Sequence, residues 1–300
     1  MTVVSVVICT RNRAQVVADA IRSLVSPKRP DTLFEIVVVD NGSVDETAAV
    51  VRSLNVTGLR YVAEDALGLS RARNTGWQAA QGQIVAFLDD DAIACPGWVD
   101  AIASGLAQDD GAAALGGPVQ PIWHAPRPFW LTDEIAHALT ILDWGPMCHR
   151  IDTGRQWLVG ANMAFRRELL EACGGFDTRL GRQGELLLSN EETFLLRQIE
   201  QLGHAVLYWP AMQVEHPVPA ARLDPRWLIQ RHFWQGRSDA RVWLMTNPSG
   251  GLSGHLLQSV KALQPPEPED RGLDGAGFTQ QCRAARRAGY ITELLGGAET

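Results

Sequence analysis

The stretch from Ile84 to Asp91, IVAFLDDD, sets a short apolar run directly against three consecutive carboxylates. A continuous apolar run of this length, bounded by polar residues, is the pattern of a strand buried on both faces. Three more runs of the kind precede it: Val3 to Ile8, Phe34 to Val39 and Leu59 to Val62. Between the first two, Val17, Ala20, Ile21 and Leu24 recur at helical spacing, and Thr47, Val50, Val51 and Leu54 do so after the second. Strands alternating with helices predict βαβ units and a mainly parallel sheet, hence an α/β fold. Ser43 and Glu46 have the spacing of a capping box, which predicts a helix start close to Ser43.

In an open parallel sheet, ligands bind beyond the carboxyl ends of the strands. Thr10 follows the first run, Asp40 the second, and Asp89, Asp90 and Asp91 the fourth, so parallel strands would bring all five to one rim. A single loop aspartate such as Asp40 is more often a turn or helix cap. Three adjacent carboxylates at the end of a buried strand are different, because crowded like charges destabilise the fold unless a cation offsets them. Oxygen ligands favour Mg²⁺ or Mn²⁺, which take one or two carboxylates and complete their shell with phosphate oxygens and water.

Beyond residue 92 the pattern loosens. A helix is expected from about Pro96, an apolar run spans Ala112 to Leu115, and the Pro- and Trp-rich stretch from Pro118 to Pro146 reads as loop and short helices. Order returns with Gly160 to Phe165, a helix through Glu168 to Ala172, a turn at Gly174 and Gly175, a helix from about Asn190 to Gln201, and a strand over Val206 to Trp209. After Asp224 an amphipathic helix carries Arg226, Arg231, Arg237 and Arg241. Past Asn247 the Gly- and Pro-rich composition reads as linker and tail. The expected division is 1–115, 116–246 and 247–300.

A chain of 300 residues with a net charge of −7 has no bulk attraction for nucleic acid. Five scattered cysteines without a C-x-x-C pair disfavour a disulfide framework and a zinc site. The short apolar run Val3 to Ile8 has neither a basic lead nor a cleavage signal, so it is not expected to be a secretory leader, and with no stretch of transmembrane length a cytoplasmic location is expected. The arginine-bearing helix leaves peripheral contact with the inner face of a membrane open. The oligomeric state is not legible.

Several boxes, in order, resemble the inverting glycosyltransferases of family 2, whose fold is GT-A. Ser5 to Asn12 (SVVICTRN) looks like the family's opening strand, Val37 to Ser43 (VVVDNGS) like its second, and Gly68 to Asn74 (GLSRARN) like its next box. Phe87 to Asp91 (FLDDD) is similar to its metal-binding DxD region. Gly160 to Arg166, Gly174 to Asp177, Glu191-Glu192 and Val214 to His216 follow in the family's order. The resemblance, covering roughly residues 3 to 241, implies a Rossmann-like nucleotide-binding half (1–115) fused to an acceptor-binding half (116–246). It implies transfer of a sugar from a nucleoside-diphosphate donor, UDP-linked by expectation, to a carbohydrate, lipid-linked or small-molecule acceptor. Carried over by position, Thr10, Asp40, Arg73, Asp89 and Asp90 would serve the nucleotide, and Asp91 and His216 the metal. Cys9 stands where relatives often carry proline, and Arg11 where an aromatic is common.

The acceptor hydroxyl must lose a proton as it attacks, so a carboxylate is the expected general base. On the helix from about Asn190, Glu192 shares an apolar face with Leu195 or Leu196, Ile199 and Leu202, while Glu191 is rotated away by about 100 degrees. Glu192 is therefore the expected base, and the resemblance selects the same position, with Glu where the family carries Asp. Both glutamates could instead merely favour the helix dipole. Trp123, Trp130 and Trp144 are candidates to stack on acceptor sugars. A nucleotidyltransferase and a non-catalytic nucleotide-sugar-binding protein are the rival readings; the first strand lacks the Gly-rich phosphate loop the former usually carries.

Overall fold

In a computed structural model of the chain, the described residues are 3–26, 30–109, 111–184, 186–247, 251, 255, 256, 258, 259 and 274–296. The expected alternation is present: β1 (Val4–Thr10), α1 (Ala14–Ser23), β2 (Phe34–Asp40), α2 (Thr47–Ser53), β3 (Leu59–Ala63), α3 (Leu69–Ala79) and β4 (Ile84–Leu88). Short β5 (Ile93–Ala94), α4 (Trp98–Gln108), β6 (Ala112–Gly116), β7 (Val119–Trp123) and α5 (Asp133–Ala136) follow. The remaining elements are β8 (His149–Arg150), β9 (Asn162–Arg166), α6 (Arg167–Cys173), α7 (Glu191–Gln201), β10 (Ala205–Tyr208), β11 (Val214–Val218), α8 (Pro225–Thr246) and α9 (Gly275–Gly296).

One sheet runs in the order β3-β2-β1-β4-β9-β6-β10-β8, and a smaller one in the order β5-β11-β7. β1 pairs in parallel with β2 and β4, and β2 with β3, so the four expected runs end on one rim. β9 enters antiparallel between β4 and β6, opposing Asn162 to Leu88. Burial explains the continuous apolar runs: every residue of β2 and β4 is buried. The carboxylate of Glu35, inside β2, is satisfied locally: it accepts from the Ser5 hydroxyl at 2.6 Å and from Arg60 at 2.9 Å. Apolar burial of this extent is the main favourable term for such a sheet.

The described chain falls into two compact units. One comprises 1–122, 140–179 and 191–217 and holds the large sheet; the other comprises 123–139, 180–190 and 218–300. In the second unit α8 and α9 lie side by side. Gly236 and Gly289 allow this, since a Cβ would come within 1.7 Å of the Arg286 carbonyl oxygen at Gly236 and within 1.8 Å of the Phe233 carbonyl oxygen at Gly289. Arg237 and Arg241 pair with the buried Glu293 at 2.7 Å and 2.5 Å.

Three local readings are corrected. α2 starts at Thr47 rather than near Ser43, because the Ser43 hydroxyl accepts from the Asn12 amide at 2.8 Å and the Asp45 carboxylate accepts from the Thr47 amide instead. Part of the 118–146 stretch read as loop and short helices is strand β7. Residues 275–296, read as tail, form a helix against α8. The arginine-bearing helix exists as α8, and two of its arginines, Arg237 and Arg241, share the single carboxylate of Glu293.

Candidate active site

The rim at the ends of β1, β2 and β4 is crowded with charge. Asp89, Asp91 and His216 bring one potential ligand atom each to within 4.8 Å of one another. The His216 Nε2 lies 3.1 Å from an Asp91 oxygen. Strand β11 supplies the histidine, buried to 3 % exposure, and the turn after β4 supplies both carboxylates. Two carboxylate oxygens and an imidazole nitrogen suit a divalent cation of the Mn²⁺ class, so these residues fit a metal.

Asp90 is turned differently. It is buried, and its pKa is pushed up to about 7, first by burial and then by Asp91 and Asp89, against the pull of Arg13 and the Thr10 hydroxyl. Arg13 had no place in the sequence reading, yet its Nη1 donates to Asp90 at 3.0 Å and to Asp91 at 2.8 Å. Burial works against ionised Asp91, but the His216 hydrogen bond and Arg13 outweigh it and hold its pKa below the usual carboxylate range. A basic residue three positions past the end of β1, on the rim that gathers the aspartates, was the available signal for Arg13.

Thr10 and Asp40 are buried and face each other across the β1–β2 register. Both Asp40 oxygens already accept hydrogen bonds, from the Ser43 amide and the Tyr61 hydroxyl, each at 2.9 Å. The turn-capping role expected of a lone loop aspartate is therefore present at Asp40.

Arg73, on α3, has a side chain only 4 % exposed. It donates to Glu191 at 2.6 Å and lies 3.5 Å from Asp89. One guanidinium thus spans the aspartate corner and the first turn of α7. Glu192 is part-buried, and its Oε2 is shut off from solvent with no hydrogen-bond partner among the described residues. Burial, and then the neighbouring Glu191, hold its pKa above the ordinary carboxylate range, against the pull of Arg73.

The helical wheel placed Glu192 on the buried face and turned Glu191 away, whereas Glu191 is the buried acid and Glu192 is part-buried. Glu191, Leu195 and Ile199 recur at fourfold spacing, and all three are buried. Glu192 stands at the margin of that buried stripe, and Leu202, placed on it, lies past the helix end and is 55 % exposed. Of the tryptophan candidates, Trp130 is buried edge-on against Phe278 and is a core residue. Trp144 packs edge-on against Trp157, and its indole donates to the Trp157 carbonyl at 3.0 Å. Asn162 explains part of the Gly160 to Arg166 box, for its amide holds the carbonyls of Pro118 and Met212 while accepting from Trp98.

The profile described as "Glycosyl transferase family 2" matches residues 5–174, more than half of the chain. A glucosyl-dolichyl phosphate glucuronosyltransferase of Haloferax volcanii is 29% identical, the match covering 78% of this chain and 75% of the relative. Glycosyltransferase AglE of the same organism is 33% identical, with 97% of this chain and 96% of the relative covered. Succinoglycan biosynthesis protein ExoM of Rhizobium meliloti is 28% identical over 78% of this chain and 73% of its own. Among solved structures, a mannosyltransferase from Pyrobaculum calidifontis in complex with GDP-Man and Mn²⁺ matches with a TM-score of 0.57 and 21% identity, covering 99% of this chain and 74% of that one. S. aureus TarS 1–349 in complex with UDP matches with the same TM-score and 15% identity, covering 99% and 91%. The fold these neighbours share with the chain is GT-A. No described helix is long and apolar enough to cross a membrane.

Proposed function

Because the chain belongs to glycosyltransferase family 2, and so uses a nucleotide-sugar donor, we propose that it transfers the sugar in one inverting displacement with Glu192 as general base. The observation that carries this reading is the double reach of Arg73, which brings the acid pair of α7 within one guanidinium of the aspartate corner. Donor leaving group and base then flank one reaction centre. Glu192 Oε2, buried and without a partner, has the character of an acceptor for the hydroxyl proton.

The acceptor oxygen bonds to the anomeric carbon from the face opposite the diphosphate. Its proton passes to Glu192, and the carbon–oxygen bond to phosphate breaks with its electron pair leaving on the nucleoside diphosphate. Held by Asp91 and His216 with Asp89, Mn²⁺ or Mg²⁺ would supply positive charge against that departing diphosphate. Thr10 and Asp40 would line the nucleobase, and Asp90 the ribose or diphosphate. Residues 1–115 form the donor half in this reading and 116–246 the acceptor half. UDP is the proposed nucleotide, a carbohydrate or lipid-linked hydroxyl the proposed acceptor, and the cytoplasm, at the inner membrane face, the proposed location.

Glu192→Gln is expected to lose transfer by at least about 1,000-fold while nucleoside-diphosphate affinity, read by thermal shift with Mn²⁺, stays close to wild type. Near-normal turnover of this variant removes Glu192 from the role. In the same thermal-shift panel, stabilisation by UDP only when metal is present supports the donor assignment. Stabilisation by a different nucleoside diphosphate reassigns the base.

A further inference from the structure

Arg73 was read from sequence as a donor contact, but its surroundings argue otherwise. The guanidinium is enclosed: Nη1 is 2.6 Å from Glu191, Nη2 is 3.5 Å from Asp89, and the ring of Phe176 lies 5.5 Å from its central carbon. Gly160 closes another side, where a Cβ would stand 2.2 Å from Nη2, so any other residue there would push the guanidinium away. On the Glu191 side a phosphate could reach Arg73 only by displacing a buried carboxylate, and stripping one partner from a buried ion pair is strongly unfavourable.

We infer that Arg73 is a positioning residue: its guanidinium ties Asp89 to Glu191 and thereby fixes where the adjoining Glu192 carboxylate stands relative to the metal-binding corner. This rests on the reading of Glu192 as base. Glu191 is then a charged partner rather than a spare acid. Its Oε1 is taken by Arg73 while its Oε2 is buried and unpartnered among the described residues. The charged and titratable groups facing Arg73 are Glu191, Asp89, Glu192 and Cys9. The thiol of Cys9, pushed up to about 12 chiefly by burial, stays neutral and adds no charge. The proton affinity of Glu192 is therefore set by burial, by the negative Glu191 that raises it and by the positive Arg73 that lowers it.

The test compares Glu191→Gln, Arg73→Lys and the double variant Arg73→Gln/Glu191→Gln in the full chain. Glu191→Gln removes the negative neighbour but keeps an acceptor for Arg73, so the acid limb of the kcat profile moves to lower pH by about one unit. Affinity for UDP with Mn²⁺ stays within about 3-fold of wild type. Arg73→Lys keeps the charge and loses the two-pronged geometry, and kcat falls by about 10- to 100-fold, again at unchanged nucleotide affinity. If either single variant fails to fold, the double variant removes both buried charges together and is read in the same assays. It is expected to bind UDP and Mn²⁺ normally and to turn over poorly. A loss of UDP affinity of about 10-fold or more with an unmoved pH limb makes Arg73 a donor ligand and overturns the inference. Normal turnover by Glu192→Gln, in contrast, removes the base and the inference together, so the two failures are distinguishable.

Discussion

The aspartate corner of the first unit and the α8–α9 pair of the second are both built from charged side chains, with opposite signs in excess. At the corner and on the adjoining turn of α7, the carboxylates of Asp89, Asp90, Asp91, Glu191 and Glu192 outnumber the guanidiniums of Arg13 and Arg73. On α8 and α9, Arg237 and Arg241 share Glu293, Arg286 meets Asp239 at 2.7 Å, and Arg283 meets Glu134 of α5. Glycines at 236 and 289 close that helix pair. The helix pair leaves guanidiniums in excess around shared carboxylates, while the corner leaves negative charge in excess, the sign that suits a divalent cation.

The widest separation between the two regions comes from removing Asp91, which receives both Arg13 and His216. Asp91→Asn is expected to lower transfer by about 1,000-fold and to abolish stabilisation by Mn²⁺ in a thermal-shift assay. Retained metal stabilisation would place the cation elsewhere and break the comparison at its first term.

The next effect belongs to the second unit and to pH. His232 is buried on α8 and its pKa is pulled down from 6.5 to about 4, first by burial and then by His137, Arg286 and Arg231, with Glu134 acting the other way. A histidine that stays neutral when folded takes up a proton more readily when unfolded. Its contribution is therefore fully present above about pH 6.5 and is lost as pH falls through 6.5 toward 4. The loss is on the order of 3 kcal/mol, and His137, shifted in the same direction, adds to it. Urea midpoints of wild type and His232→Phe at pH 7.5 and 4.5 test this: the variant should show the shallower decline. Parallel declines assign the acid sensitivity to other groups.

Gly289→Ala tests whether close helix packing, and not the ion pairs alone, holds α8 to α9. A loss of about 2 kcal/mol in urea unfolding is expected, with UDP affinity unchanged. A coupled fall in UDP affinity would show that the second unit does more than hold itself together. The smallest effect is expected at Arg22, whose bond to Asp19 on α1 is largely exposed. Arg22→Ala should change stability by less than about 0.5 kcal/mol, which marks the baseline for a charge that serves neither region.

How far the chain could be read in advance follows the range of the interactions concerned. The runs ending at Ile8, Val39 and Leu88 reported strands correctly because burial on both faces leaves a continuous apolar signature, and the run ending at Val62 became the part-exposed edge strand β3. Once they were parallel, the rule for strand ends brought Thr10, Asp40 and Asp89 to Asp91 together. The α2 start was misread because a serine at cap spacing cannot reveal that its hydroxyl is claimed by Asn12, 31 residues away. Helix α9 was hidden behind the Gly- and Pro-rich stretch that precedes it, which dominated the composition of the whole C-terminal segment.

By itself the sequence determined the α/β alternation, the rim on which the carboxylates gather and the order of boxes that marks family 2, since periodicity and strand ends are local properties. Only the tertiary structure decided which acid Arg73 holds, that Arg13 closes on Asp90 and Asp91, and that Arg237 and Arg241 of α8 share Glu293. Arg73 and Glu191 lie 118 residues apart. Ion pairing depends on distance in space and on the exclusion of water, and neither quantity exists until the chain has folded.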